Sequence, residues 1–302
     1  MRTRPIPCSG EALPVIGLGT YVGFDVPASS PKFAKLPGVL DALFDAGGSV
    51  IDSSPMYGQA EATAGSLLSA PRSGPARPAP RGGSSKVAKP HLLESALPER
   101  PRAFIATKVW TRGRDAGSAQ MQHSMKLLQT QCIDLMQVHN LLDWKVHLAT
   151  LRAWKDAGRI RYLGVTHYTS SAYADLEAVL RAEALDFVQL NYSVADRAAE
   201  QRLLPLAAER GVAVLVNLPL GSGAVLRSVQ RAALPAFAAE LECTSWAQLL
   251  LKYVIGHPAV TCAIPGTSRE AHMADNAGAG KGAMPDEAMR QRILQCWNEA
   301  RG

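Results

Sequence analysis

Short apolar runs alternate along the chain with segments in which apolar residues recur every three or four positions, and the alternation persists almost from end to end. The runs read as buried strands and the periodic segments as helices with one apolar face. Residues 5–20 hold two apolar pieces about the Ser9-Gly10 turn, which predicts a small hairpin and then a strand over Val15–Thr20. Leu36, Val39, Leu40, Leu43 and Phe44 form one face of a helix that Gly47-Gly48 ends. Further strands are predicted at 50–52, 104–108, 134–139, 162–166, 186–190, 212–216 and 260–264. Helices are predicted at 61–68, 120–129, 146–157, 172–181, 201–210, 245–255, 270–276 and 285–300, with Gly158, Gly211 and Gly256 as stop signals.

The predicted strands number eight, with helices between nearly all of them. Strict alternation implies parallel strands joined by crossovers. Eight such units in a chain of 302 residues fit an α/β fold of one (β/α)8 TIM barrel with an N-terminal hairpin cap, one domain over 1–302. A Rossmann domain would need G-x-G-x-x-G between a strand and a helix. Gly17-x-Gly19 and Gly221-x-Gly223 both lack the third glycine, which excludes it.

Residues 71–102 break the rhythm. Seven prolines, three glycines and seven Lys/Arg fall in this stretch, which reads as a flexible loop insertion with a possible short helix at 91–97. It also changes the picture of charge. The whole chain carries +6, the insertion carries +5 (seven Lys/Arg less two Glu), and about +1 is left for the rest. Charge so localised, with no Phe, Trp or Tyr beside it, argues against a nucleic-acid surface.

No run approaches the ~20 apolar residues of a membrane span, and no apolar stretch follows Met1-Arg2-Thr3-Arg4-Pro5 as in a secretory leader. Cys8, Cys132, Cys243, Cys262 and Cys296 are scattered without metal-ligand spacing. They read as reduced thiols of a cytoplasmic protein that holds no metal.

In a barrel of this kind the strand C-termini face the active site. Asp52 and Tyr57 follow the second strand, Lys108 ends the third and His139 the fourth. Each alone is an ordinary turn, surface or core residue. Together on one rim they suggest carbonyl reduction. Tyr57 would be the general acid, Lys108 the ammonium that lowers its pKa, Asp52 the lysine's anchor and His139 the group that holds the carbonyl oxygen.

The chain resembles the aldo-keto reductases over nearly its whole length outside the insertion. The resemblance is carried by Gly17-Leu18-Gly19-Thr20, by Ile51-Asp52-Ser53-Ser54 with Tyr57-Gly58, and by Ile105-Ala106-Thr107-Lys108-Val109. Asp134-Leu135-Met136-Gln137-Val138-His139, the stretch from Ala157 to Val165, and Ile264-Pro265-Gly266-Thr267 complete it. It implies an NADPH-dependent reduction of an aldehyde or ketone, with a small-molecule carbonyl substrate and no nucleic-acid or membrane partner, by a monomer or weak oligomer.

By the same resemblance, Gly19 and Thr20 lie near the cofactor, and Thr166, His167 and Gln189 hold the nicotinamide amide, with His167 where the family usually has Asn. Asn217 falls where many members stack an aromatic residue on the nicotinamide. Leu220 and Ser222 follow the pyrophosphate. Pro265, Gly266, Thr267, Ser268 and Arg269 take the 2′-phosphate, with His272 in place of a common arginine, and Asp275 and Asn276 lie near adenine. Tyr21, Trp110 and Trp144 begin loops that either meet substrate or pack as ordinary loop residues. The departures at His167 and Asn217 leave an alternative, an NADP(H)-binding sensor with little turnover. A third reading, a basic insertion that tethers an anionic partner, fits its scattered charge and many prolines less well than a solvated loop does.

Overall fold

A computed structural model describes residues 1–70 and 102–302. The predicted insertion, with its short helix, therefore lies outside the described residues except for Arg102. Strands β1 (Thr3–Pro5) and β2 (Ala12–Pro14) pair antiparallel as the predicted hairpin. There follow β3 (Leu18–Gly19), α1 (Leu36–Asp45), β4 (Val50–Asp52), α2 (Ala60–Ser69), β5 (Phe104–Val109), α3 (Arg114–Leu127) and β6 (Ile133–His139). Next come α4 (Trp144–Asp156), β7 (Ile160–His167), α5 (Tyr173–Ala182), β8 (Phe187–Asn191), α6 (Leu203–Glu209), β9 (Ala213–Asn217) and α7 (Ala224–Ser228). The chain ends with α8 (Trp246–Ile255), β10 (Cys262–Ala263), α9 (Glu270–Gly278) and α10 (Glu287–Ala300).

Strands β3 to β10 form one parallel sheet in sequential order. Bridges Ile16↔Ala263 and Gly19↔Gly266 join its two edge strands, so the sheet closes into the barrel. At this seam β3 and β10 are only two residues each, shorter than their apolar runs predict. Gly19 is required there, because a Cβ would stand 2.9 Å from the Ile264 carbonyl oxygen.

Successive strand side chains point to opposite faces, and here the two faces are two cores. Ile51, Met136, Val138, Val165, Val188, Val214 and Val216 point outward into a core shared with the helices. Val50, Phe104, Ala106, Leu135, Tyr162, Phe187, Ala213, Leu215, Cys262 and Ile264 point inward, joined by Ile6 and Leu13 of the hairpin. Phe104, Tyr162 and Phe187 pack ring on ring at 5.5–6.1 Å, filling the N-terminal half of the barrel. Gly164 makes room for them, since a Cβ there would lie 2.6 Å from the Phe187 carbonyl oxygen.

The helices match the predicted periodic segments with shifted ends. α3 starts at Arg114, ahead of the predicted 120, because its first turns carry small and polar residues without periodicity. α7, five residues long, was not predicted, being too short to show a helical period. Ser245 and Asp286 cap α8 and α10 by accepting the Gln248 and Met289 N–H groups.

Candidate active site

Continuing each inward series toward the strand C-termini replaces hydrocarbon by polar groups. Val50 gives way to Asp52, Phe104 and Ala106 to Lys108, and Leu135 to Gln137 and His139. Phe187 gives way to Gln189, and Leu215 to Asn217. The period of two that builds the core thus also brings the chemistry to one end.

Lys108 is fully buried, and its Nζ donates to Asp52 Oδ2 at 2.7 Å and to the Ser53 carbonyl at 2.7 Å. Burial alone would lower its pKa, but the Asp52 carboxylate and the Tyr57 oxygen beside it raise it above the ordinary lysine value. Lys108 therefore stays an ammonium at neutral pH.

Tyr57 is set by the turn that leaves β4. Its N–H donates to the Ser54 carbonyl at 3.0 Å. Gly58 follows with φ +58°, and the Gln59 N–H is held by Asp25 at 2.9 Å. The turn aims the ring at Lys108, whose Nζ is 5.3 Å from the ring centroid, and at His139, whose ring is 6.0 Å away, edge on. The net pKa direction differs from the expectation. Burial raises the phenol above its ordinary value, Lys108 pulls it back, and the first effect wins. The lysine acts with the expected sign, and Tyr57 is a fully protonated donor at neutral pH.

Burial, with Lys108 and His167 adding to it, pushes the His139 pKa down to about 3. The ring is therefore neutral. Its Nδ1 lies 3.0 Å from Ser54 Oγ, which also accepts the Met56 N–H. The Ser54 hydroxyl can serve either tautomer, and in the one where it donates to Nδ1, Nε2 carries the N–H. A neutral histidine in that form donates one hydrogen bond.

Thr166 Oγ1 donates to Gln189 Oε1 at 3.2 Å, and Gln189 Nε2 donates to Asp52 Oδ1 at 2.9 Å. Of the residues assigned to the nicotinamide amide, Gln189 thus touches Asp52 and Thr166 touches Gln189. Asn217 Oδ1 is a buried acceptor without a partner. His167 Nδ1 accepts the Thr169 N–H, and its ring stacks on Tyr168. Thr20 Oγ1 donates to Ser53 Oγ at 2.9 Å, tying the end of β3 to the exit of β4. Leu220 and Ser222 lie in the loop between β9 and α7, where Gly221, Ser222 and Gly223 all have positive φ.

Pro265 to Ser268 lead into α9, with Arg269 at its N-cap, and Arg269 and His272 are exposed. Asn276 is buried. The Asp275 carboxylate accepts from the Ser245 hydroxyl and the Gln248 amide, so it ties α9 to α8. Tyr21 and Trp110 are exposed rims, 4.9 Å from the Tyr57 ring and 6.4 Å from the His139 ring. Trp144 opens α4 and is partly buried against the outer core.

Three residues here were not singled out from sequence. Ser54 orients His139. Glu61 is a buried carboxyl on α2 that accepts from Thr107 at 2.6 Å and Ser124 at 3.0 Å, and burial raises its pKa. Gln137 reaches Asp52 at 3.3 Å. Their only sequence signal is a polar residue on a face otherwise apolar. Among the described residues no group of three or more His, Cys, Asp or Glu could hold a metal ion, and no helix is long and apolar enough to cross a membrane.

The sequence profile of the Aldo/keto reductase family matches residues 15–297. The chain belongs to that family. It is 28% identical over 153 residues to an NADH-specific methylglyoxal reductase of Escherichia coli, and over 159 residues to an uncharacterized oxidoreductase of Schizosaccharomyces pombe. These matches take in 50% and 52% of the chain and 42% and 50% of those proteins, so the match spans about half the length of the curated relatives. An aldo/keto reductase from Klebsiella pneumoniae, solved with NADP and acetate, superposes with TM-score 0.74 at 24% identity, covering 98% of this chain and 96% of that one. An aldo-keto reductase from Bacillus halodurans superposes with TM-score 0.68 at 21% identity over 98% of this chain and 96% of that one.

Proposed function

We propose that the chain is an NADPH-dependent oxidoreductase that reduces an aldehyde or ketone to the alcohol, with Tyr57 as proton donor. The observation that carries this reading is the buried Lys108 ammonium, held by Asp52 at 2.7 Å with the Tyr57 ring 5.3 Å away and His139 beside it. The residues present suit a dinucleotide: Thr166 and Gln189 offer a hydroxyl and an amide, and the unpartnered Asn217 Oδ1 accepts a hydrogen bond. Thr166, His167, Gln189 and Asn217 would hold the nicotinamide end. Leu220 and Ser222 would lie along the pyrophosphate, and Pro265 to Asn276 would take the adenosine end.

When bound, the reduced nicotinamide supplies the hydride. His139 then donates its Nε2–H to the carbonyl oxygen and fixes its direction. Tyr57 gives its proton to the same oxygen as negative charge develops there, and Lys108 stabilises the phenolate left behind. Asp52 keeps Lys108 charged throughout. Tyr57→Phe should retain NADPH binding and lose turnover by on the order of 10²–10⁴-fold. The assay is NADPH consumption against a panel of aldehydes, ketones and sugars, methylglyoxal included. Turnover by Tyr57→Phe at the parent rate would remove Tyr57 from this role.

The E. coli relative is named for NADH, whereas the K. pneumoniae structure holds NADP. For this chain NADPH is favoured by Arg269, an exposed guanidinium at the N-cap of α9, which suits a 2′-phosphate in charge and shape. Fluorescence titration of both cofactors decides the point. Arg269→Ala should weaken NADPH and spare NADH, and an equal effect on both would place the phosphate elsewhere.

A second reading, an NADP(H)-binding sensor with little turnover, draws on Asn217, an amide that offers no ring to stack on the nicotinamide. Single-turnover oxidation of bound NADPH by a reactive aldehyde separates the two.

A further inference from the structure

We propose that Gln137 is a positioning residue for the proton donor: its side-chain amide, acting with that of Gln189, holds the Asp52 carboxylate turned toward Lys108. The inference rests on the reading of Tyr57 as that donor. Gln137 is fully buried on β6, in register with Lys108 on β5, and faces the barrel interior. Its Nε2 donates to Asp52 Oδ1 at 3.3 Å, and Gln189 Nε2 donates to the same oxygen at 2.9 Å. The other oxygen, Oδ2, is thereby left to Lys108 at 2.7 Å. Donors from three strands, β5, β6 and β8, thus grip one carboxylate and leave it a single orientation.

Gln137 is also only half satisfied, since its Oε1 is buried without a partner. An apolar side chain of similar size would fill the same space and bury no unpaired acceptor. The amide cannot turn to relieve this, because its oxygen would then face the carboxylate. Gln189 differs in that its Oε1 accepts from Thr166 and so belongs to the proposed cofactor seat as well. Gln137 reaches Asp52 alone, which makes the two separable by experiment.

The ionisable groups that face this cluster are Glu61 from α2, His139 from β6, His167 from β7, Cys262 from β10 and Tyr21 from the loop after β3. Among these groups and the cluster itself, Asp52 does most to keep Lys108 charged against burial. Once Asp52 is free to turn away, Lys108 loses its proton at lower pH and ceases to favour the Tyr57 phenolate.

The test is Gln137→Met, which keeps the volume and removes the donor. It should lower kcat by about 10-fold, less than the 10²–10⁴-fold of a lost general acid because Tyr57 itself remains, and leave the NADPH dissociation constant unchanged. The alkaline limb of the kcat profile that reports the Lys108 proton should move toward neutral pH. In the cofactor-free protein, the tyrosinate absorbance that Tyr57→Phe abolishes should appear at higher pH than in the parent. Gln137→Glu sets a second carboxylate against Asp52, and its loss of activity should grow as pH rises. An unmoved alkaline limb and an unmoved tyrosinate titration would overturn the proposal. Lower activity with both unmoved and a lower melting temperature would mean that Gln137 only packs. If the parent reduces no carbonyl, the proposed function fails, and the tyrosinate titration still decides Gln137.

Discussion

The two ends of the barrel both carry ion pairs, and they use them differently. At the C-terminal end Lys108 and Asp52 are almost wholly excluded from water, with side chains 0% and 4% exposed. At the N-terminal end Asp134, itself buried, accepts from Arg102 at 2.6 Å and Arg161 at 2.7 Å, whose side chains are 68% and 30% exposed. Arg161 also pairs with Glu11 of the hairpin loop, and the Tyr162 hydroxyl donates to Glu11 at 2.6 Å. Arg4 closes the same end by donating to the His257 carbonyl at 2.6 Å. Burial makes the difference. The N-terminal charges keep much of their hydration and clamp the hairpin over the aromatic plug. The C-terminal pair has given up its water, so each charge depends on its partner and shifts its neighbours' pKa values.

Breaking the buried pair should have the largest effect. Lys108→Met leaves the Asp52 carboxylate buried without its counter-ion, and removing one partner of such a pair costs about 3–5 kcal/mol. Chemical denaturation should show that loss together with loss of turnover. A variant as stable as the parent would mean that Gln137 and Gln189 alone satisfy Asp52.

An intermediate effect is expected from His139, through pH. A folded-state pKa of about 3 against an ordinary value near 6.5 means that the unfolded chain binds the extra proton first as pH falls. His139 therefore lowers stability progressively as pH falls from about 6.5 toward 3, and adds no pH dependence above that window. His139→Gln should flatten that part of the stability curve. Turnover of the parent should show no histidine ionisation between pH 5 and 8. A step near pH 6.5 that vanishes in His139→Gln would show that the ring is protonated in the folded protein.

The smallest effect belongs to the other end. Arg161→Ala leaves Asp134 with Arg102 and with the Ile105 N–H at 2.8 Å. With its bonds to Asp134 and Glu11 lost from a partly exposed site, it should cost about 1.5–3 kcal/mol, the scale of hydrogen bonds to charged groups, and less in high salt. Turnover should be unchanged. A loss as large as that of Lys108→Met would erase the contrast between the ends.

The sequence by itself determined the barrel, the order of its strands and which residues stand at their C-terminal ends. Those follow from local periods: alternation within a strand decides inside from outside, and a spacing of three or four decides the buried face of a helix. Asp52, Tyr57, Lys108 and His139 were legible because each ends or follows a strand in one inward series. Only the tertiary structure decided which groups meet across strands. Gln137 was read as part of an apolar run, and its contact with Asp52 depends on the register of β4, β5 and β6, which no local pattern encodes. Glu61 lay unnoticed on α2, and Asp275 joined α8 to α9 through contacts 27 and 30 residues away in the chain. The net direction of the Tyr57 pKa was also beyond the sequence. Its neighbour Lys108 could be named from a motif, but desolvation sums over every wall of the barrel mouth, and that sum exists only when the chain is folded.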